Sequence, residues 1–199
     1  ARTDKTSMCL PLAPDPQVVW QELRHKTRNR VRKGEGAGLV VVSGGAELLD
    51  EFYRMWTVRM HELGTPCYPR RLFTSILEAF PDATRIFLSK LHGVTTAGLF
   101  AYTFSGWVQS CWGAALREYD GIGPNYILNW SAIEHYCRAG MKWYDFGRST
   151  IGSGIALASR GSSVWAGLAA TKMPRALMPV TTPTKPAQPI DTKGYLPSG

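Results

Sequence analysis

Apolar positions along the chain recur with two periods, and the changes of period mark out its elements. Val19, Leu23, Thr27 and Val31 fall on one side of a helix predicted from Pro16-Gln17 through Lys33, where Gly34 and Gly36 stop it. Leu39 to Val42 is a short apolar run with the length of a buried strand, and Gly44-Gly45 turns the chain into a second helix. Leu48, Leu49, Phe52, Met55, Trp56 and Met60 carry an apolar stripe along that helix as far as Leu63, and Gly64 ends it. A shorter helix from Arg70 to Phe80 closes at Pro81-Asp82. Three strands follow, Thr84 to Leu91, Thr95 to Phe104 and Trp107 to Leu116, with His92-Gly93 and Ser105-Gly106 as hairpin turns. Tyr126, Ile127, Trp130, Ile133 and Cys137 then give one face of a helix from Asn125 to Ala139, and Met141 to Phe146 is a last strand. Residues 1–16, with three prolines and no periodicity, read as a loop or a severed connection to a preceding domain.

An antiparallel meander leading into a crossover helix and another strand is an α+β (mixed α/β) plan, one central, mostly antiparallel sheet flanked by helices. The stretch from Trp107 to Ser149 is its centre. Pro124 suits the first helical turn, where its missing N–H has no partner to lose, and Gly140 suits the left-handed position past the end. A helix that starts straight after a strand and a glycine-bearing turn (Gly121, Gly123) points its free N–H groups into a crevice, where they attract phosphate or carboxylate. In the alternative reading the glycines only turn the chain.

The chain has 199 residues with 44% hydrophobic content, enough to bury a core as one domain. No apolar run approaches the roughly 20 residues that span a bilayer, and no signal peptide is apparent, so a cytoplasmic location is expected. Cys9, Cys67, Cys111 and Cys137 show neither C-x-x-C pairing nor a histidine at metal spacing, so no metal site is expected and packing is their reading. The net charge is +8, yet residues 34–154 hold ten Lys/Arg against eleven Asp/Glu. The surplus therefore sits at the two ends. One part is the stripe Arg24, Arg28 and Arg32, spaced i, i+4, i+8, with Lys26, Arg30 and Lys33 beside it. Like charges at that spacing repel by a few tenths of a kcal/mol per pair, a cost that an anionic partner relieves and a solvated face merely tolerates.

Several separated motifs, in order, carry a resemblance. They are His25-Lys-Thr-Arg-Asn-Arg-Val-Arg-Lys33 with Gly38-Leu39, Leu63-Gly-Thr-Pro66 with Tyr68-Pro-Arg-Arg71, Arg117-Glu-Tyr119 with Pro124-Asn125, and Tyr144-Asp-Phe-Gly-Arg-Ser149 with Gly152 and Gly154. From about residue 20 to 154 the chain resembles the FemAB-related proteins found beside exopolysaccharide and exosortase (PEP-CTERM) systems, within the GNAT-like acyl-CoA N-acyltransferase superfamily. The resemblance implies tandem acyltransferase-like domains, of which this chain covers the end of the first and much of the second, as a fragment. It implies transfer of an acyl or aminoacyl group to an amine of a cell-envelope polysaccharide or peptidoglycan-type precursor. The donor it implies is acyl-CoA or aminoacyl-tRNA. The Arg117 to Asn125 loop stands where CoA-binding members carry a pyrophosphate loop, without that loop's spacing.

Amine attack on a thioester or ester needs a base, an oxyanion site and two positioned substrates. Asp145 and Glu118 are the candidate bases or amine anchors, with Tyr119 a hydrogen-bonding partner; for Asp145 the structural alternative is a salt bridge to Arg148 or a turn cap. Arg148 and Ser149 form a candidate anion clamp, Asn125 opens the crossover helix, and Thr65 and Tyr68 are held by a loop with two prolines. Arg28 and Arg32 are candidates for the phosphates of a nucleotide-linked precursor or a tRNA. After Gly154 the family pattern fails, and six prolines between Pro174 and Gly199 give residues 155–199 the composition of a flexible tail. That departure predicts a sheet without its closing strands and with an exposed edge. Two further readings stand beside the transferase. One is an inactive interaction domain that keeps the fold. The other is a basic nucleic-acid-binding module, which would need aromatics among the basic residues; Arg24 to Lys33 has none.

Overall fold

The computed structural model describes residues 5–150 and 171–174. In chain order these are β1 (Lys5–Pro11), α1 (Pro16–Glu22), α2 (His25–Gly36), β2 (Val40–Gly44), α3 (Leu49–Glu62), α4 (Arg70–Ala79), β3 (Thr84–Leu91), β4 (Val94–Phe104), β5 (Trp107–Ala115), α5 (Pro124–Arg138), β6 (Trp143–Thr150) and β7 (Thr171–Pro174). One seven-stranded sheet has the order β2-β3-β4-β5-β6-β1-β7. Every neighbouring pair is antiparallel except β5 with β6, which is parallel because α5 crosses over between them.

Three expectations change near the ends of the chain. Residues 5–11, expected as loop, form a strand that inserts between β6 and β7. Met8, Cys9 and Leu10 are all buried, so this strand shows a continuous apolar run instead of an alternating one. The outer edge of β6, expected to be open, is thereby covered by β1, and β1 in turn by β7. The single helix expected from Pro16 to Lys33 is two helices. Leu23 and Arg24 adopt extended backbone, with ψ 138 and 141. Leu23 stays buried with its N–H on the Trp20 carbonyl, and Arg28 Nη1 donates to the Trp20 and Gln21 carbonyls at 3.4 and 2.8 Å. Nor does Gly34 stop α2, which runs on to Gly36 with Ala37 as its C-cap. Gly34 is buried where α2 meets Leu39 and the Ile122 carbonyl, and a Cβ there would stand 3.3 Å from Leu39.

Two apolar clusters sandwich the sheet. On one face α1, α2 and α5 pack through Val19, Val31, Leu128, Ile133 and Tyr136 onto Phe87, Leu99 and Tyr144. On the other, α3 and α4 pack through Phe52, Met55, Trp56, Phe73 and Leu77 onto Ile86, Leu88 and Phe100. The β2 strand was expected to be buried, but it lies at the sheet edge with Val40 57% exposed. At Gly98 α3 lies close on the sheet: a Cβ would fall 2.7 Å from Met55 Cε and 2.9 Å from Phe52 Cδ2.

Gly98→Val should therefore cost about 1–3 kcal/mol by overpacking, read as a lower urea midpoint at unchanged slope. The cysteines give a second check. Cys9 and Cys137 are buried, Cys111 is half-buried and Cys67 is exposed. Burial pushes the Cys9 and Cys111 thiols up to about 12, so at pH 7.5 a maleimide should modify Cys67 first and the other three only after denaturation.

Candidate functional site

The parallel pairing of β5 with β6 lasts for three residue pairs, Trp107 with Trp143, Val108 with Tyr144 and Gln109 with Asp145. Beyond them the strands separate. On β5 the register with β4 slips between Ser110 and Trp112, which leaves Cys111 as the extra residue of a β-bulge. On β6 the chain turns at Gly147, with φ 91, and Asp145 Oδ1 accepts the Gly147 N–H at 2.7 Å. The bulge and the turn open a crevice of about 770 Å³ where the ladder would have continued.

Its floor is unusually bare of side chains. Gly98 and Leu99 on β4 face Ala114 and Gly113 on β5, with Ala115 beyond, so a ligand can lie directly along the strand backbones. One wall is the last turn of α3, with Arg59, Met60, Glu62 and Leu63. The opposite wall is the first two turns of α5, with Asn125, Leu128 and Asn129, flanked by Arg117 and Asp120 from the short 3-10 turn over 117–122. Because α3 and α5 pack on opposite faces, the crevice reaches both sides of the sheet. At the α5 mouth Gly123 (φ 75, ψ 46) makes the N-cap, no side chain caps the helix, and Pro124 follows. Its first N–H groups, with the Arg117 guanidinium nearby, suit an anion.

A buried hydroxyl ties the α5 wall to strands β5 and β6. Tyr144, fully buried on β6, donates to Asn129 Oδ1 at 3.5 Å and shares a hydrogen bond with the Ser110 side chain. Asn129 Nδ2 also holds the Asn125 carbonyl at 2.8 Å. Burial drives the Tyr144 hydroxyl well above the ordinary phenol range, so it works as a neutral hydrogen-bonding post. Cys111 bonds the Tyr102 hydroxyl, and burial, with Asp145 nearby, keeps its thiol protonated near neutral pH. A thiol in that state is a poor nucleophile.

Of the residues singled out in the sequence, Asn125 lines the crevice. Asp145 is 2% exposed and stands behind it, near Cys9, Cys111 and Tyr102. Glu118 is exposed and Tyr119 half-buried on the 3-10 turn, and neither lines the crevice. Arg28 holds the end of α1, and Arg32 lies 5.7 Å over the Trp20 ring. Thr65 and Tyr68 sit in the exposed loop that leaves α3, next to the crevice wall. Arg148 and Ser149 are on β6 opposite Ser7 and Thr6, and the clamp expected of their side chains lies outside the described part. Sequence reasoning missed Arg59, Glu62, Ser110, Asp120 and Asn129. The run Gly113-Ala114-Ala115, small residues inside a strand, is the signal that could have pointed to the bare floor.

Among the described residues no group of three His, Cys, Asp or Glu could hold a metal ion, and no helix is long and apolar enough to cross a membrane. The same fold occurs in the crystal structure of FemX, which superposes with a TM-score of 0.72 at 14% identity over 82% of this chain and 57% of that one. It occurs again in L-PGS from Bacillus licheniformis (TM-score 0.54, 12% identity, 77% and 49%). A conserved protein of unknown function from Bacteroides thetaiotaomicron matches as well (0.55, 9%, 72% and 50%). The chain thus spans about half the length of these structures. A search of curated proteins by sequence gives no match. The acetyltransferase (GNAT) domain profile matches residues 21–153, two thirds of the chain and the whole of the crevice, and the chain belongs to that family.

Proposed function

We propose that this domain is a FemAB-like N-acyltransferase that moves an acyl or aminoacyl group onto an amine of a cell-envelope polysaccharide or peptidoglycan-type precursor, working in the cytoplasm. The observation that carries the reading is the crevice open to both faces of the sheet. Acyl transfer joins two substrates at one carbonyl, and an opening through the sheet lets donor and acceptor meet from opposite sides. The inactive-domain reading would fit a closed crevice, whereas the one beside Asn125 is open. The fold shared with FemX and the family membership fit the same reaction class.

The donor's anionic portion would rest on the α5 N-terminus and Arg117, with its acyl arm along Gly113 to Ala115. Acyl-CoA suits that floor; an aminoacyl-tRNA would bring its terminal phosphates to the same mouth. The reacting carbonyl would lie at the Cys111 bulge, where the β4–β5 ladder is interrupted. The incoming amine enters between α3 and β5. Glu62 and Asp120 are the carboxylates that line the crevice, and Glu62, on the α3 wall, takes the ammonium proton. The amine nitrogen then attacks, the carbon–sulfur or carbon–oxygen bond breaks, and the leaving thiol or hydroxyl regains a proton. Asp145 acts through position: it fixes the Gly147 turn and flanks the bulge, so it shapes the crevice without touching substrate.

Titration of the purified chain with acetyl-CoA and, separately, with aminoacyl-tRNA, followed by thermal shift, tests this reading. One donor should raise the melting temperature, and Arg117→Ala should weaken that donor roughly tenfold. In single-turnover acyl transfer Glu62→Gln should lower the rate by about 10²-fold or more while donor affinity holds. No shift with either donor would remove the reading.

A further inference from the structure

We infer that the outward face of α2 is a docking surface for an anionic lipid bilayer; this stands apart from the acyl-transfer reading above. Residues 24–33 hold six Lys or Arg, and Glu35 is the only acid in α2. Elsewhere in the domain several cations are paired, Arg59 with Glu62, Arg70 with Asp50, Lys90 with Glu51 and Arg138 with Glu134. Among the described residues Arg24, Lys26, Arg30, Arg32 and Lys33 enter no ion pair. The start of the helix adds to their potential, because Arg24 is its N-cap, no side chain caps it and the first turn has no acid. Like charges this close repel one another, and an anionic surface laid against them removes that cost.

What these side chains already do decides which anion fits. Arg28 is committed to the Trp20 and Gln21 carbonyls. The Arg30 guanidinium lies 5.8 Å over the Tyr126 ring, and that of Arg32 lies 5.7 Å over Trp20, which itself packs on Trp130. A single-stranded nucleic acid seeks open aromatic faces for its bases and arginine forks for bidentate contacts. Here both rings beside the basic face are covered, and three of the four arginines are held against the protein's own surface. The charges left free are those of Arg24, Lys26 and Lys33, all exposed. A bilayer asks for no finer geometry, since its diffuse headgroup charge is met by any Lys or Arg held near its plane. Lys26 and Lys33 stand about 10 Å apart along the axis, with Arg30 between them. With His25 and Asn29 they border a shallow hollow of about 450 Å³, room for a headgroup phosphate. Because α2 packs on the α5 face of the sheet, docking leaves the α3 mouth of the crevice clear.

The test is cosedimentation of the full chain with phosphatidylcholine vesicles, with and without about one quarter phosphatidylglycerol. Binding is expected only with phosphatidylglycerol, and it should fall as salt rises. Arg24→Gln, Lys26→Gln and Lys33→Gln together should weaken it roughly 10²-fold, at about fivefold per charge. A control with Arg54→Gln, Arg71→Gln and Lys142→Gln loses the same net charge elsewhere and should stay within about threefold of the wild type. Lys26→Arg with Lys33→Arg keeps the charge and should bind as the wild type does, which keeps the test decisive if the glutamine variant folds poorly. No binding to phosphatidylglycerol vesicles, equal losses in the two glutamine variants, or a loss in the arginine variant would each overturn the inference. Transfer RNA binding that the α2 variant loses while vesicle binding persists would give the face to nucleic acid instead.

Discussion

Strand β6 has two neighbours and can satisfy only one along its whole length. It pairs with β1 from Trp143 to Thr150 but with β5 for just three residue pairs. The rest of the architecture depends on that inequality. Parallel ladders on this sheet require a crossover, so α5 must lie across one face, and its N-terminus is delivered to the point where the strands part. The extra residue at Cys111 and the left-handed Gly147 make the separation permanent. Tyr144, buried and bonded to Ser110 on β5 and Asn129 on α5, bridges the elements at the opening.

The two apolar clusters explain why the crevice has different mouths. On the α5 side the lining is a helix start, Arg117 and asparagine side chains, a surface for anions and carbonyls. On the α3 side it is a helix end with an ion pair, backed by the aromatic group of Tyr53, Trp56, Tyr68, Phe73 and Trp112. In the proposed reaction, donor and acceptor would meet across the thickness of one sheet. Gly98 lets α3 pack close against the sheet, because Met55 and Phe52 fill the space a side chain there would take.

Where periodicity was strong the sequence was legible. The meander β3-β4-β5, the helices α3 and α4, and α5 between Pro124 and Gly140 lie within a residue or two of their expected positions. Continuous burial and side-chain rescue were not legible. Met8-Cys9-Leu10 has no alternation to read, and the break at Leu23 is held by Arg28 reaching back from the next helix. That same contact gives Arg28, a candidate for phosphate in the sequence, a part in closing the end of α1. The crevice was legible only in outline: Asn125 followed from the helix start, while Glu62 and Asn129 enter it through packing of elements distant in sequence.

Hydrogen–deuterium exchange with and without saturating acetyl-CoA tests the central claim most directly, because it maps donor contact onto backbone segments. The account predicts slower exchange across residues 110–116 and 117–125, at the bulge and at the start of α5, with α2 unchanged. Protection confined to the basic face of α2, or none at the β5–β6 opening, would contradict it.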